Sequence, residues 1–106
     1  MNEWETALDE FVDRVRKMYD GRLQTMILYG SRARDTADEG SDVDVLVVLN
    51  PLGNFWTEFS RLQSLAGPIS LEHDVVLCAL PVSADDLEEP KSPLLMNAKR
   101  DGIRVA

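Results

Sequence analysis

A glycine and a serine, ten residues, then two aspartates around a single valine: Gly30-Ser31 and Asp42-Val43-Asp44 are the residues of this chain whose types and spacing can do chemistry. Glycine at the end of an apolar run lets backbone approach a ligand closely. Amides at the start of a following helix, with the Ser31 hydroxyl, form a donor set suited to phosphate oxygens. Asp42 and Asp44 are two apart, so in a strand both project to one face with Cα atoms about 6.6 Å apart, while Val43 and Val45 turn into the core. Paired carboxylates of this kind suit Mg²⁺ or Mn²⁺, and paired ions clamp a nucleotide phosphate while lowering the pKa of an attacking hydroxyl. A third acid, Asp74, stands among Leu71, Val75, Val76 and Leu77. An acid in so apolar a run is costly to bury unless it is paired, coordinated or solvated. If its segment lies beside the Asp42 segment, three acids meet, and a cation stabilises the fold by relieving their repulsion.

The elements that would position these groups follow from periodicity. Trp4, Leu8, Phe11, Val12, Val15 and Met18 recur at helical spacing, Asn2 and Glu5 form a capping box, and Asp20-Gly21 closes this first helix. Leu23 to Tyr29 reads as a buried strand, and Asp42 to Leu49 as a second ended by Asn50-Pro51. The polar segment between them, Ser31 to Ser41, holds at most one short helix near Arg32 to Thr36. Asn54 caps a helix carrying Phe55, Phe59, Leu62 and Ala66 on one face, which Gly67-Pro68 stops; Ile69 to Leu80 then reads as a third strand. Ser83 and Asp86 frame a helical turn, Ser92-Pro93 starts a last helix through about Lys99, and Ile103 to Val105 adds an edge strand.

In their order and spacing these residues resemble the minimal nucleotidyltransferases of the DNA polymerase beta-like superfamily, whose signature is Gly-Ser, about ten residues, Asp-x-Asp and a later strand aspartate. Gly30-Ser31-Arg32-Ala33-Arg34, Ser41-Asp42-Val43-Asp44 and Asp74-Val75-Val76 match it, and Ser92-Pro93-Leu94-Leu95 to Asp101-Gly102-Ile103 resembles the family's terminal helix and strand. The chain departs from the pattern at Asp35, where a glycine frequently stands. The resemblance implies an α+β fold with a mixed sheet and flanking helices, two Mg²⁺ ions and ATP. It implies that Asp42, Asp44 and Asp74 are catalytic and hold metal, and that Gly30, Ser31 and Arg32 bind the nucleotide. An acceptor oxygen would attack the α-phosphorus and expel pyrophosphate.

Composition narrows the acceptor. The chain has 106 residues, 44% of them apolar, enough for one core, so residues 1–106 are expected to form a single domain. Its net charge is −8, with 11 acids before Asn54 and 8 after, a surface that repels phosphate backbones. Direct nucleic-acid binding is not expected. No apolar stretch is long enough to span a bilayer, no export signal is visible, and the lone Cys78, flanked by Leu77 and Leu80, reads as a buried strand residue; the cytoplasm is the expected compartment. A chain this short has no segment left to wall an acceptor pocket, so another molecule must supply the acceptor. The resemblance implies a protein: minimal nucleotidyltransferases are often paired with HEPN ribonuclease toxins, which they silence as antitoxins by placing AMP on a tyrosine. Two other readings stay open: a binding antitoxin that neutralises by occlusion, with Trp4 and Trp56 as contacts, and a small-molecule nucleotidyltransferase working as a homodimer. His73 reads as a hydrogen-bonded side chain on the opposite face from Asp74, Arg32 and Arg34 as triphosphate or surface-pair residues, and Asp85 to Glu89 as a solvated acidic face.

Overall fold

A computed structural model describes residues 2–106. Its first helix, α1 (Glu3–Tyr19), opens as expected on a capping box: the Glu5 N–H donates to Asn2 Oδ1 at 3.2 Å and the Asn2 N–H to Glu5 Oε1 at 3.4 Å. Ala7, Leu8, Phe11, Val12 and Val15 form the buried stripe, but at its end Met18 lies outside and Tyr19 inside. Tyr19 is held there by its hydroxyl, which donates to Glu58 Oε1 at 2.9 Å.

Strands β1 (Leu23–Tyr29) and β2 (Val43–Leu49) pair antiparallel, as short β-branched runs joined by a compact loop allow. Helix α2 (Phe55–His73) starts at Asn54, whose side chain accepts from the Thr57 N–H at 3.0 Å, and then runs straight through Gly67-Pro68. The expected third strand is therefore half helix. Leu62, Ala66 and Ile69 continue one buried stripe across the proline, and Gly67 and Pro68 sit on the solvent face, where water can satisfy the carbonyl left without a partner. Burial of Ile69 outweighs the local stop signal. The helix ends at Asp74, in left-handed conformation at φ 53°, with its N–H on the Ser70 carbonyl.

Strand β3 is thus displaced to Leu77–Ser83, parallel to β2, with α2 as the long crossover that a parallel pair requires. The short helix α3 (Ala84–Glu88), helix α4 (Pro93–Asp101) and the two-residue strand β4 (Ile103–Arg104) complete the chain. The sheet has the order β3-β2-β1-β4, mixed in direction, with helices on both faces. This is the α+β architecture read from the sequence. On one face Val43, Val45, Val47 and Leu49 pack with α1 and α2; on the other Leu46, Val48 and Val82 pack with Ala98 of α4. Residue 44 belongs to this second face, at the end that the α3–α4 cover leaves half-open.

The outer edge of β3 is partly blocked by side chains. The Leu77 N–H donates to Ser70 Oγ at 3.1 Å, the Ala79 carbonyl accepts from Gln63 Nε2 at 3.2 Å, and Pro81 has no N–H to offer.

Candidate active site

The pairing register sets Tyr29, Asp44 and Cys78 side by side across three strands, since Tyr29 pairs with Asp44 and Asp44 with Cys78. Asp42, one residue ahead of β2, lies two before Asp44, and its Oδ2 accepts from the Cys78 thiol at 3.7 Å. Val43 and Val45 are fully buried on the opposite face, as the period of two requires. Ligand atoms of Asp42, Asp44 and Cys78 lie within 4.8 Å of one another.

Gly30 closes the site from the β1 side. It begins a tight turn, Gly30–Arg32, at φ +75°, and a Cβ built on it would stand 2.6 Å from Asp44 Oδ2. Only glycine gives this contact without pushing the carboxylate aside. Gly30 therefore lies directly against the Asp44 carboxylate, with Ser31 the next residue of the turn. The Ser31 carbonyl accepts from the Thr36 N–H at 3.1 Å, and Asp35 between them takes the left-handed conformation, φ +57°. Asp35 thus adopts the backbone conformation that a glycine at this position would favour.

The electrostatics are those of a negative site short of a counter-charge. Burial, then the Asp42 charge, raises the Asp44 carboxyl above its ordinary value. Burial and the two aspartates raise the Cys78 thiol, and burial with Asp44 and Cys78 pushes the Tyr29 phenol up to about 12. A hard divalent cation fits this donor set: Mg²⁺ is commonly held by one or two carboxylates and completes its shell with phosphate oxygens and water.

Two expected site residues stand elsewhere. Asp74 is exposed at the C-terminal cap of α2 and is absent from the Asp42–Asp44 cluster; it lines a separate groove of about 420 Å³ with Trp4, Arg32, Glu39, His73 and Val75. Its displacement follows directly from the extension of α2. Cys78 takes the third place that Asp74 was expected to fill. Arg32 turns away from the carboxylates: its guanidinium lies 5.0 Å from the Trp4 ring centroid and donates to the Ser41 carbonyl at 3.1 Å and the Glu39 carbonyl at 3.5 Å. It braces the loop that delivers Asp42. His73 is hydrogen-bonded, as expected, to Glu3 at 2.8 Å and Glu10 at 3.0 Å, and these bonds raise its pKa. Sequence reasoning missed Tyr29 and Cys78 as site neighbours. The alternation Leu77-Cys78-Ala79 carried that signal, but a strand drawn from residue 69 obscured its register.

The chain matches the nucleotidyltransferase domain family over residues 8–89, a span that holds Gly30, Ser31, Asp42, Asp44 and Cys78. It belongs to that family. Among relatives of this nucleotidyltransferase, MJ0604 of Methanocaldococcus jannaschii, named as a candidate protein adenylyltransferase, is 35% identical over 91 residues, 86% of this chain and 83% of the relative. Similar solved folds include a toxin–antitoxin with AMP-PNP, at TM-score 0.60 and 18% identity, covering 89% of this chain and 68% of that one. A structure of the toxin–antitoxin MntA-HpeT matches at TM-score 0.60 and 14% identity, covering 98% of this chain and 71% of that one. At these identities the two structures establish the likeness of fold.

Proposed function

We propose that this nucleotidyltransferase is a protein adenylyltransferase that moves AMP from ATP to a hydroxyl of a partner protein, and that it acts as the antitoxin of a HEPN ribonuclease toxin, modifying a tyrosine. The observation that supports the transfer chemistry is the abutment of Gly30 on Asp44, which brings the start of the Gly30–Arg32 turn against the carboxylate pair from the neighbouring strand. The protein acceptor is supported by the 35% identity to MJ0604, and the toxin pairing by the shared fold of toxin–antitoxin structures.

In this reading Asp42 and Asp44 hold Mg²⁺, and the Gly30–Ser31 turn orients the triphosphate. A bound divalent ion supplies charge neutralisation and a more acidic acceptor hydroxyl. The acceptor oxygen forms its bond to the α-phosphorus as the bond to pyrophosphate breaks, and the hydroxyl proton passes to solvent. Arg32 and Trp4 fix the loop before Asp42, so the two carboxylates meet the phosphates already placed. The test is incubation of the chain with Mg²⁺, α-labelled ATP and the product of its neighbouring gene. Label should reach that protein, and Asp42→Asn or Asp44→Asn should abolish transfer; label that never enters protein overturns the acceptor assignment.

One observation favours a binding role beside the chemistry. An apolar groove of about 420 Å³ runs from Tyr29 and Cys78 past Phe59, Val76 and Leu94, and Trp56, packed on Phe59, is 70% exposed. If the Asp42→Asn/Asp44→Asn double variant neutralises the partner as fully as wild type at equal abundance, occlusion is the function.

A further inference from the structure

From the two hydrogen bonds that close the end of α2 onto the start of α1, we infer that His73 is a positioning residue for nucleotidyl transfer: by clasping the first turn of α1 it keeps Trp4 on Arg32, and so fixes the loop that delivers Asp42. The inference rests on reading Asp42 as a metal ligand and goes beyond that reading to what holds the carboxylate in place.

Asp42 is pinned on both sides, and both pins lead back to the end of α2. The Ser41 carbonyl just before it accepts from Arg32 Nη2 at 3.1 Å, and the Val43 N–H just after it donates to the Val76 carbonyl at 2.8 Å. The second pin is direct, because Val76 lies in the segment that leaves α2. The first runs through Arg32. Its Nε is buried and has no partner among the described residues, so the guanidinium occupies a costly place. It stays there because the Trp4 ring, 5.0 Å away, and the Ser41 and Glu39 carbonyls hold it. Trp4 in turn belongs to the first turn of α1, the part of a helix that frays most readily. The capping box steadies that turn within α1. Among the described residues, the hydrogen bonds that tie it to another element are those of His73. Nδ1 meets Glu3 Oε2, beside Trp4, at 2.8 Å, and Nε2 meets Glu10 Oε2, two turns on, at 3.0 Å. Glu72 stands in the same cluster, with a carboxylate oxygen within 4.8 Å of the Glu10 and His73 ligand atoms. Removing the imidazole therefore sets carboxylates of α1 and α2 against each other, and the first turn is repelled as well as released.

Amide hydrogen exchange of the full chain tests this without any ligand. His73→Ala should speed exchange of the Ser41 and Val43 amides roughly tenfold, while the amides of Val45 to Val47, in the buried body of β2, keep their rates. Glu3→Ala, at an exposed side chain, breaks the same clasp without touching α2 and should act in the same direction. Trp4→Leu, which keeps bulk but no ring face, should do the same, and Trp4→Phe should restore the wild-type rates. With ATP present, Mn²⁺ binding read by electron paramagnetic resonance should weaken roughly tenfold in His73→Ala and in Trp4→Leu. The double variant should be no weaker than the worse single one, since both act along one line. Unchanged exchange at Ser41 and Val43 in a folded His73→Ala or Glu3→Ala chain overturns the inference. So does an additive loss in the double variant, or faster exchange spread evenly over β2, which is a loss of global stability alone. A wild-type chain that binds no Mn²⁺ with ATP defeats the metal reading of Asp42 instead, and the exchange pattern still decides whether His73 holds the loop.

Discussion

At Gly30, Asp35 and Asp44 single residues carry the argument, and each makes a prediction. A methyl group at Gly30 meets Asp44 Oδ2 at 2.6 Å from a backbone at φ +75°. Gly30→Ala should therefore lower transfer sharply and cost about 1–2 kcal/mol of stability for the left-handed conformation alone, read by labelled-ATP assay and denaturant melts. Asp44 shows the opposite balance, since its charge is half-buried beside Asp42. Asp44→Asn should raise the Tm of the metal-free chain while removing the Tm gain that Mg²⁺ gives the wild type, a stability gained at the expense of activity. Residue types were the most legible level of the sequence: Gly30-Ser31 and Asp42-x-Asp44 meet as their spacing implies, and Asp35 retains the left-handed backbone despite its departure from glycine. Arg32 was legible only as a cation. Whether it met phosphate or the Ser41 carbonyl depended on Trp4, nearly thirty positions away in the chain.

Helix α2 shows why the third acid was misplaced. Proline is a local signal, whereas the stripe Leu62, Ala66, Ile69 is satisfied only by the sheet it packs against, and the tertiary term decided the boundary. Pro68 lies in an exposed part of the helix interior, so Pro68→Ala should stabilise the chain by up to about 3 kcal/mol without changing transfer, measured by chemical denaturation. Asp74 holds a left-handed cap at φ 53°, a conformation that glycine adopts freely. Asp74→Gly should thus preserve stability and keep Mg²⁺-dependent transfer; loss of metal affinity in a folded Asp74→Gly variant would return this acid to the metal site. Strands β1 and β2 were legible because their apolar runs end in glycine and proline. The start of β3 was not, because Val75-Val76-Leu77 fits a strand equally well whichever residue begins the pairing.

Taken whole, the molecule is fastened at the end of the sheet away from the site by one buried carboxylate. Glu58, 3% exposed, accepts from Tyr19 at 2.9 Å and from Arg22 at 3.1 Å, with Arg61 at 3.3 Å, and so ties the end of α1, the turn after it and the start of α2. Burial alone would raise its pKa, but the hydrogen bonds and positive charges prevail and hold it below the usual carboxylate range. A depressed carboxyl contributes stability that is present above its unfolded pKa and lost as pH falls through the folded one. Acid melts should accordingly show stability declining below about pH 4.5, the ordinary glutamate value, and Glu58→Gln should flatten that decline while costing roughly 1–3 kcal/mol at neutral pH. Such a three-element fastening leaves no periodicity in sequence, because Tyr19, Arg22 and Glu58 come from separate elements and meet only when these pack. The partly stoppered rim of β3 bears on life in a crowded compartment. With Ser70 holding the Leu77 N–H, Gln63 holding the Ala79 carbonyl and Pro81 lacking an N–H, that rim offers neighbouring copies fewer free backbone groups on which to stack and so a poorer seed for fibres.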